Sequence, residues 1–138
     1  DEHIDGAFIT KHFKVLDVEK NSNETTVYMW VLYNEYSCEN GEIKSESGAH
    51  VPTVITAKRT GEHGHYDLVE YWEPRDGSYY ADDIREKFPW YLHSKALDSR
   101  RYIDEQQAFC ENAAKEYFSS AAENFYFATD NHERISPQ

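Results

Sequence analysis

Two cysteines, one methionine, four prolines and six glycines are all that a chain of 138 residues contains of those types, and each scarcity closes a set of readings. Cys38 and Cys110 stand far apart and match no zinc or redox spacing. They are either one disulfide in an exported protein or two free thiols in a cytosolic one, depending on a Cα separation that sequence does not contain. Six glycines with no Gly-rich strand-to-helix turn remove phosphate-loop and dinucleotide fingerprints. No stretch reaches the roughly 20 apolar residues that cross a bilayer, and no apolar signal segment is present, so the fragment is not expected to insert directly into a membrane. Basic residues are few as well. Fourteen of them against 26 acids leave a net charge of −12, which opposes phosphate backbones and anionic lipid surfaces and argues against nucleic-acid binding. The chain starts at Asp1, as expected of a processed mature chain or a part of a longer one, with any membrane anchor in the remainder.

Aromatic residues are plentiful by contrast. Three Trp, eleven Tyr and seven Phe supply large apolar area at about 150–250 Å² per ring, enough to build a core although the hydrophobic fraction is only 39%. The length fits a single domain over residues 1–138, and the polar run 128–138 reads as a frayed tail.

Four strands are expected first. Phe13 to Val18 is a short one, followed by the polar turn from Glu19 to Asn23. Thr25 to Tyr36 is stronger: Val27, Met29, Val31 and Tyr33 fall on one face and Tyr28, Trp30, Leu32 and Tyr36 on the other, which predicts a central strand covered on both sides. Cys38 to Gly48 has no period and reads as a loop or an exposed hairpin arm. Val51 to Lys58 is a third strand, Thr60 to His65 a glycine-containing turn, and Tyr66 to Trp72 a fourth strand that completes an antiparallel meander. Pro74 sits at the second position of an expected β-turn from Glu73 to Gly77, where strand spacing gives way to helical spacing. A short helix is expected over Asp82 to Lys87, and Pro89 breaks it before a helical piece running to Leu92. The long helix is expected to be capped by Asp98, with Tyr102, Gln106, Phe109, Cys110, Ala113 and Tyr117 facing the sheet and helical character continuing to Phe127. Strands first and helices after predict an α+β fold: a four-stranded antiparallel meander, short helices, and one long C-terminal helix packed on the sheet, an order compatible with NTF2-like or cystatin-like cones.

Motifs for chemistry are scarce. The His-Glu-x-x-His of zinc peptidases is absent. His63-Gly-His65 brings two imidazoles together on a turn, but a solvent-exposed turn explains them better than a metal. Asp17, Glu19, Asn21 and Asn23 have the odd-position spacing of a calcium loop, yet Ser22 and Tyr28 stand where such a loop needs Gly and Glu. No nucleophile elbow or cysteine-protease signature occurs. Neither a metal nor a cofactor is expected. If the chain were a small enzyme with a pocket between sheet and helix, Asp76, Asp82 and His93 would be the candidates.

The block from Val69 to His93 carries two of the three tryptophans. As structure, Trp72, Tyr79, Tyr80, Phe88, Trp90 and Tyr91 would plug a sheet-to-helix corner, with Arg75 and Asp76 fixing the turn. As function, Trp72, Arg75, Asp76, Tyr79, Tyr80 and Trp90 would line a groove for a peptide, a glycan or an apolar ligand, Arg75 offering its fork to a carboxylate.

Val27-Tyr-Met-Trp-Val-Leu-Tyr33, Val51-Pro-Thr-Val-Ile-Thr56, Glu70-Tyr-Trp-Glu-Pro-Arg-Asp-Gly-Ser-Tyr-Tyr80, Phe88-Pro-Trp-Tyr91 and Lys95-Ala-Leu-Asp98 together resemble an uncharacterised extracytoplasmic domain found with BlaR1-like membrane metallopeptidases of Gram-positive bacteria. The resemblance runs over roughly Phe13 to Phe118. It implies a location outside the cytoplasmic membrane and a sensing or binding role. The peptidase's zinc ligands belong to another part of such proteins and cannot be assigned here, and the Ser-x-x-Lys of penicillin-binding sensors is missing. The expected function is a non-catalytic extracytoplasmic domain that binds a small ligand or a protein partner. A small enzyme or ligand carrier with an NTF2-like pocket is the alternative, and an interaction module would instead show an exposed apolar patch.

Overall fold

The computed structural model describes residues 3–61, 64–119 and 126–127, with side chains for 7–61 and 64–119. Strands β1 (His3–Asn21), β2 (Glu24–Glu39), β3 (Glu42–Thr60) and β4 (His65–Trp72) form an antiparallel meander in chain order. Helices α1 (Tyr80–Lys87), α2 (His93–Ala96) and α3 (Ile103–Ser119) follow, which makes the fold α+β as expected. A two-residue strand, β5 (Tyr126–Phe127), pairs in parallel with Glu42 and Ile43 of β3, so helical character does not extend to Phe127. His63 and the tail 128–138 lie outside the described residues. None of the described helices is long and apolar enough to cross a membrane.

The strands run well beyond their expected ends because of the turns between them. Asn40 and Gly41 both take positive φ (53° and 78°), the signature of a two-residue type I′ hairpin turn, which suits Asn-Gly and matches the twist of the strands it joins. The Glu- and Ser-rich stretch from Cys38 to Gly48 is therefore two hairpin arms rather than a loop. Ser22, with φ 49°, makes the corresponding turn between β1 and β2. Contacts group the chain into two compact units, and the three long strands contribute residues to both.

One unit comprises Asp1–His12, Leu32–Ala49 and Asp104–Gln138. Its core combines Leu32, Tyr36, Cys38 and Ile43 with Cys110, Ala114 and Phe118 of α3. The buried stripe of α3 is Gln106, Cys110, Ala114 and Phe118, every fourth residue. Phe109 and Tyr117, expected on that stripe, are 53% and 45% exposed. The ring of Tyr117 instead stacks on Phe8 of β1, with centroids 4.2 Å apart. Gln106 is wholly buried and donates from Nε2 to the His12 carbonyl at 3.1 Å. The Thr10 hydroxyl donates to the Asn34 carbonyl at 3.2 Å. Cys38 and Cys110 are both buried and are not joined in a disulfide.

The other unit comprises Phe13–Val31 and His50–Ile103. Tyr28 and Val54 of the sheet pack with Ile84, Phe88, Leu92 and Ala96 of the helical segment, flanked by Leu16, Trp72, Tyr80 and Leu97. Trp30 is fully buried, stacks on His50 at 4.4 Å, and donates its indole N–H to the Lys95 carbonyl at 2.9 Å. Helix α1 carries Asp82 and Asp83 in its first turn and Arg85 and Lys87 in its last, the arrangement its dipole favours. Phe88 turns extended ahead of Pro89, as a residue before proline must.

Asp98 is not the cap of α3, which begins five residues later at Ile103. Its carboxylate accepts from the Arg100 N–H and its carbonyl from the Arg101 N–H, so it stabilises the turn that precedes the helix. Strand β2 also differs from expectation: the face with Tyr28, Trp30 and Leu32 is buried, whereas Val27, Val31 and Tyr33 on the opposite face are only half-buried.

Candidate functional site

Past Trp72 the chain does not make the expected β-turn at Glu73 to Gly77. Glu73, Pro74 and Arg75 have no regular structure, and Asp76 has extended angles (φ −77°, ψ 168°) before Gly77 takes φ 71° and starts a short 3₁₀ turn into α1. This path lays Arg75 across α1. Its guanidinium meets both carboxylate oxygens of Asp83, Nε to Oδ2 at 2.9 Å and Nη2 to Oδ1 at 2.8 Å. The Arg75 backbone N–H donates to the same carboxylate at 2.8 Å, and the guanidinium lies 4.0 Å from the Tyr79 ring centroid. These bonds hold the Asp83 carboxyl at a pKa of about 2, well below the ordinary carboxylate range. The fork expected to await a ligand carboxylate is therefore engaged by the protein's own, and Asp83 is a fixed negative charge at neutral pH.

Around this pair lies an open cleft of about 510 Å³ lined by Glu70, Trp72, Glu73, Arg75, Asp83, Glu86 and Lys87. Lys87 Nζ is 2.6 Å from Glu70 Oε1 and 6.0 Å from the Trp72 ring centroid. Glu73 accepts from the Tyr71 hydroxyl at 2.7 Å, which raises the Tyr71 pKa. Four carboxylates against two cations leave the lining two charges negative. Of the six residues expected at a binding site, Trp72 and Arg75 line the cleft. Asp76 is exposed beside it without a capping bond, Tyr79 lies under Arg75, and half-buried Tyr80 packs on the core with its pKa raised by burial. Trp90 is 82% exposed and meets Tyr91 edge-on, at 6.0 Å. The Tyr91 hydroxyl donates to Asp17, which pushes the tyrosine up to about 12 and lowers the carboxyl.

None of the three candidates for acid–base chemistry, Asp76, Asp82 and His93, is part of the cleft lining. Asp82 is exposed with Arg85 at 3.4 Å, and the His93 ring donates from Nε2 to the Phe88 carbonyl at 2.9 Å. Among the described residues no group of three or more His, Cys, Asp or Glu is arranged to hold a metal ion. Glu70, Glu73, Glu86 and Lys87 were not singled out by sequence. Their signal was present only as the three- and four-residue spacing of Asp83, Glu86 and Lys87, which sets them on one face of α1.

A second feature lies on the same unit's sheet. Trp72 pairs with Val54 and points to the helical core, so Tyr71, paired with Ile55, points to the other face, as do Leu68 opposite Ala57 and Tyr66 opposite Arg59. Leu16 also packs on the core, so Val15 and Phe13 alternate outward. Phe13, Val15, Tyr66, Leu68 and Tyr71 are each more than half exposed, Leu68 most at 64%. Between them lie half-buried Val27, Val31 and Ile55 and buried Met29 and Thr53. The exposed apolar side chains of this face therefore form two groups, Phe13 and Val15 on β1 and Tyr66, Leu68 and Tyr71 on β4, at its two borders.

No family model, curated protein or solved structure matches this chain.

Proposed function

We propose that this chain is a non-catalytic binding domain that works outside the cytoplasmic membrane, beside a membrane-bound peptidase or signalling protein, and docks a protein partner through the outward face of β1 and β4. The observation that carries the docking is that one sheet face leaves Phe13 and Val15 of β1 and Tyr66, Leu68 and Tyr71 of β4 more than half exposed in a chain with a net charge of −12. Leaving such side chains in water forgoes about 25 cal/mol for each Å² that a partner would cover. The resemblance of the aromatic block to domains accompanying BlaR1-like metallopeptidases supports the location and the kind of partner. In the cleft, the Arg75 fork is held by Asp83, so a ligand carboxylate would have to displace the protein's own.

The test is site-specific photocrosslinking in the native cell, with a photoreactive residue at Phe13, Leu68 or, as control, Arg100. One discrete adduct shared by Phe13 and Leu68 and missing at Arg100 is expected, recovered with the cell envelope and containing a membrane protein. Adducts equally abundant at Arg100, or none from the sheet positions, would overturn the docking face. Recovery with cytosolic proteins would overturn the location.

A further inference from the structure

Strand β4 is an edge that the described residues leave open. Among the described residues it pairs with β3 alone, and every residue from His65 to Tyr71 is exposed. One row of its backbone N–H and C=O groups therefore faces solvent. Natural edges are commonly blunted by Lys, by Pro, by a bulge, by inward-pointing charges or by a covering element; His65–Trp72 contains neither Lys nor Pro, and its inward-pointing charges, Asp67 and Glu70, are both acidic. Its one irregularity is a bulge: Leu68 pairs with Ala57 and Glu70 with Thr56, leaving Val69 as the extra residue.

The two faces of this strand differ in chemistry. Outward lie Tyr66, Leu68 and Tyr71, and on the helix side lie Asp67, opposite Lys58, and Glu70, opposite Thr56. Glu70 leads into the cleft, where Glu73, Glu86 and the Trp72 ring are within the same lining. Asp67 accepts from Thr60 at 3.2 Å and Glu70 holds Lys87 at 2.6 Å, exposed contacts of small worth that an incoming ammonium can share. A second copy is a poor occupant. An antiparallel copy centred between Leu68 and Val69 would set Asp67 against Glu70 twice, and each chain brings a charge of −12.

We propose that β4 accepts an extended segment of a partner protein as an added strand, about five or six residues long, in which apolar and basic residues alternate. Its backbone pairs with the free edge, its apolar side chains extend the Tyr66, Leu68 and Tyr71 face, and its Lys or Arg side chains lie along Asp67 and Glu70 with one reaching the Trp72 cleft. This inference rests on the docking face proposed above and names the segment that would sit against its β4 border.

The probe is a capped hexapeptide of alternating valine and lysine, titrated into the 138-residue chain and followed by calorimetry and amide NMR. Controls are a hexapeptide of the same composition with its valines and lysines in two blocks, an alternating valine–glutamate peptide, and a copy of the probe N-methylated on alternate residues. Binding is expected to perturb the amides of His65–Trp72, to weaken at least about tenfold for the block isomer, and to vanish for the N-methylated copy. Glu70→Lys should weaken the lysine peptide about tenfold and strengthen the glutamate one. Equal binding of both isomers, or perturbations elsewhere than β4, would reduce the effect to charge attraction and overturn strand addition. Should the peptide fail while crosslinks at Phe13 and Leu68 persist, the edge falls and the docking face stands. Should the crosslinks fail while the peptide binds at β4, the reverse holds.

Discussion

A methyl group added at Gly48 would sit 2.3 Å from Asn34 Oδ1, 3.1 Å from the Tyr33 carbonyl oxygen and 3.4 Å from Asn34 Cγ. Gly48 is not among the residues with positive φ, so space and not backbone strain decides the outcome of Gly48→Ala. Asn34 is only 9% exposed, and its amide is close enough to the Tyr36 hydroxyl to lower that group's pKa against the upward push of burial. Turning the amide away from the new methyl loses that polar interaction, about 1 kcal/mol. Forcing a carbon into an occupied position adds about 1–3 kcal/mol, and the lower entropy of the unfolded alanine chain returns about 0.5 kcal/mol. The expected destabilisation is about 2–3 kcal/mol, a fall in Tm of roughly 10 °C. Urea denaturation of the wild type, Gly48→Ala, Asn34→Ala and the double variant measures it, with unchanged m values as the check on two-state behaviour. Removing the Asn34 amide should relieve the clash, so the double variant is expected to be at least about 1 kcal/mol more stable than the two single losses predict. A Gly48→Ala protein within about 0.5 kcal/mol of wild type, or strict additivity in the double variant, would refute the reasoning.

Further outcomes follow from other sites. Ile84→Ala empties a wholly buried position between α1 and the sheet and should cost about 3 kcal/mol by urea denaturation, whereas a loss under about 1 kcal/mol would mean that the site collapses around the smaller side chain. The Asp83 carboxyl is depressed to about 2 in the folded chain, so its contribution is complete above the unfolded value near 4 and is lost as pH falls through 2. Stability measured from pH 5 to pH 2 should therefore fall less steeply in Asp83→Asn than in the wild type, and parallel curves would contradict the Arg75 pairing. Both thiols are buried and burial pushes Cys110 up, so a thiol reagent near pH 8 should react slowly with the native chain and with two groups after denaturation. Rapid reaction of either thiol in the native state would place it at the surface.

Much of the fold was legible because period-two alternation survives in β2 and β3, and because Pro74 and Gly77 mark where strand spacing stops. What sequence obscured has identifiable causes. Asn40-Gly41 is a strong hairpin signal, but the polar arms from Glu42 to Gly48 carry little apolar alternation and read as loop. In α3 the helix period was plain and its phase was not, since Phe109 and Tyr117 are as apolar as the residues that are buried, and Gln106 is buried through a hydrogen bond that no hydropathy scale anticipates. Asp98 has the composition of a cap but meets N–H groups of its own turn, and only the backbone path distinguishes the two. At the site, Arg75 and Trp72 stood out by type. The partner that occupies Arg75 could not, because Asp82 and Asp83 are adjacent and identical, and only the rotation of α1 selects the second.

The three tryptophans lie at three depths: Trp30 sealed against His50, Trp72 half-covered beside Lys87, and Trp90 open to water. The domain therefore carries an optical record of its own unfolding and binding without any label. Trp90 should dominate quenching by a neutral solute such as acrylamide, while an anionic quencher is held off by the chain's negative charge. Emission that shifts to the red during denaturation reports the release of Trp30, and emission that changes on adding a cationic peptide reports Trp72. With Trp90→Phe as the background, the optical signal divides into one for the core and one for the cleft.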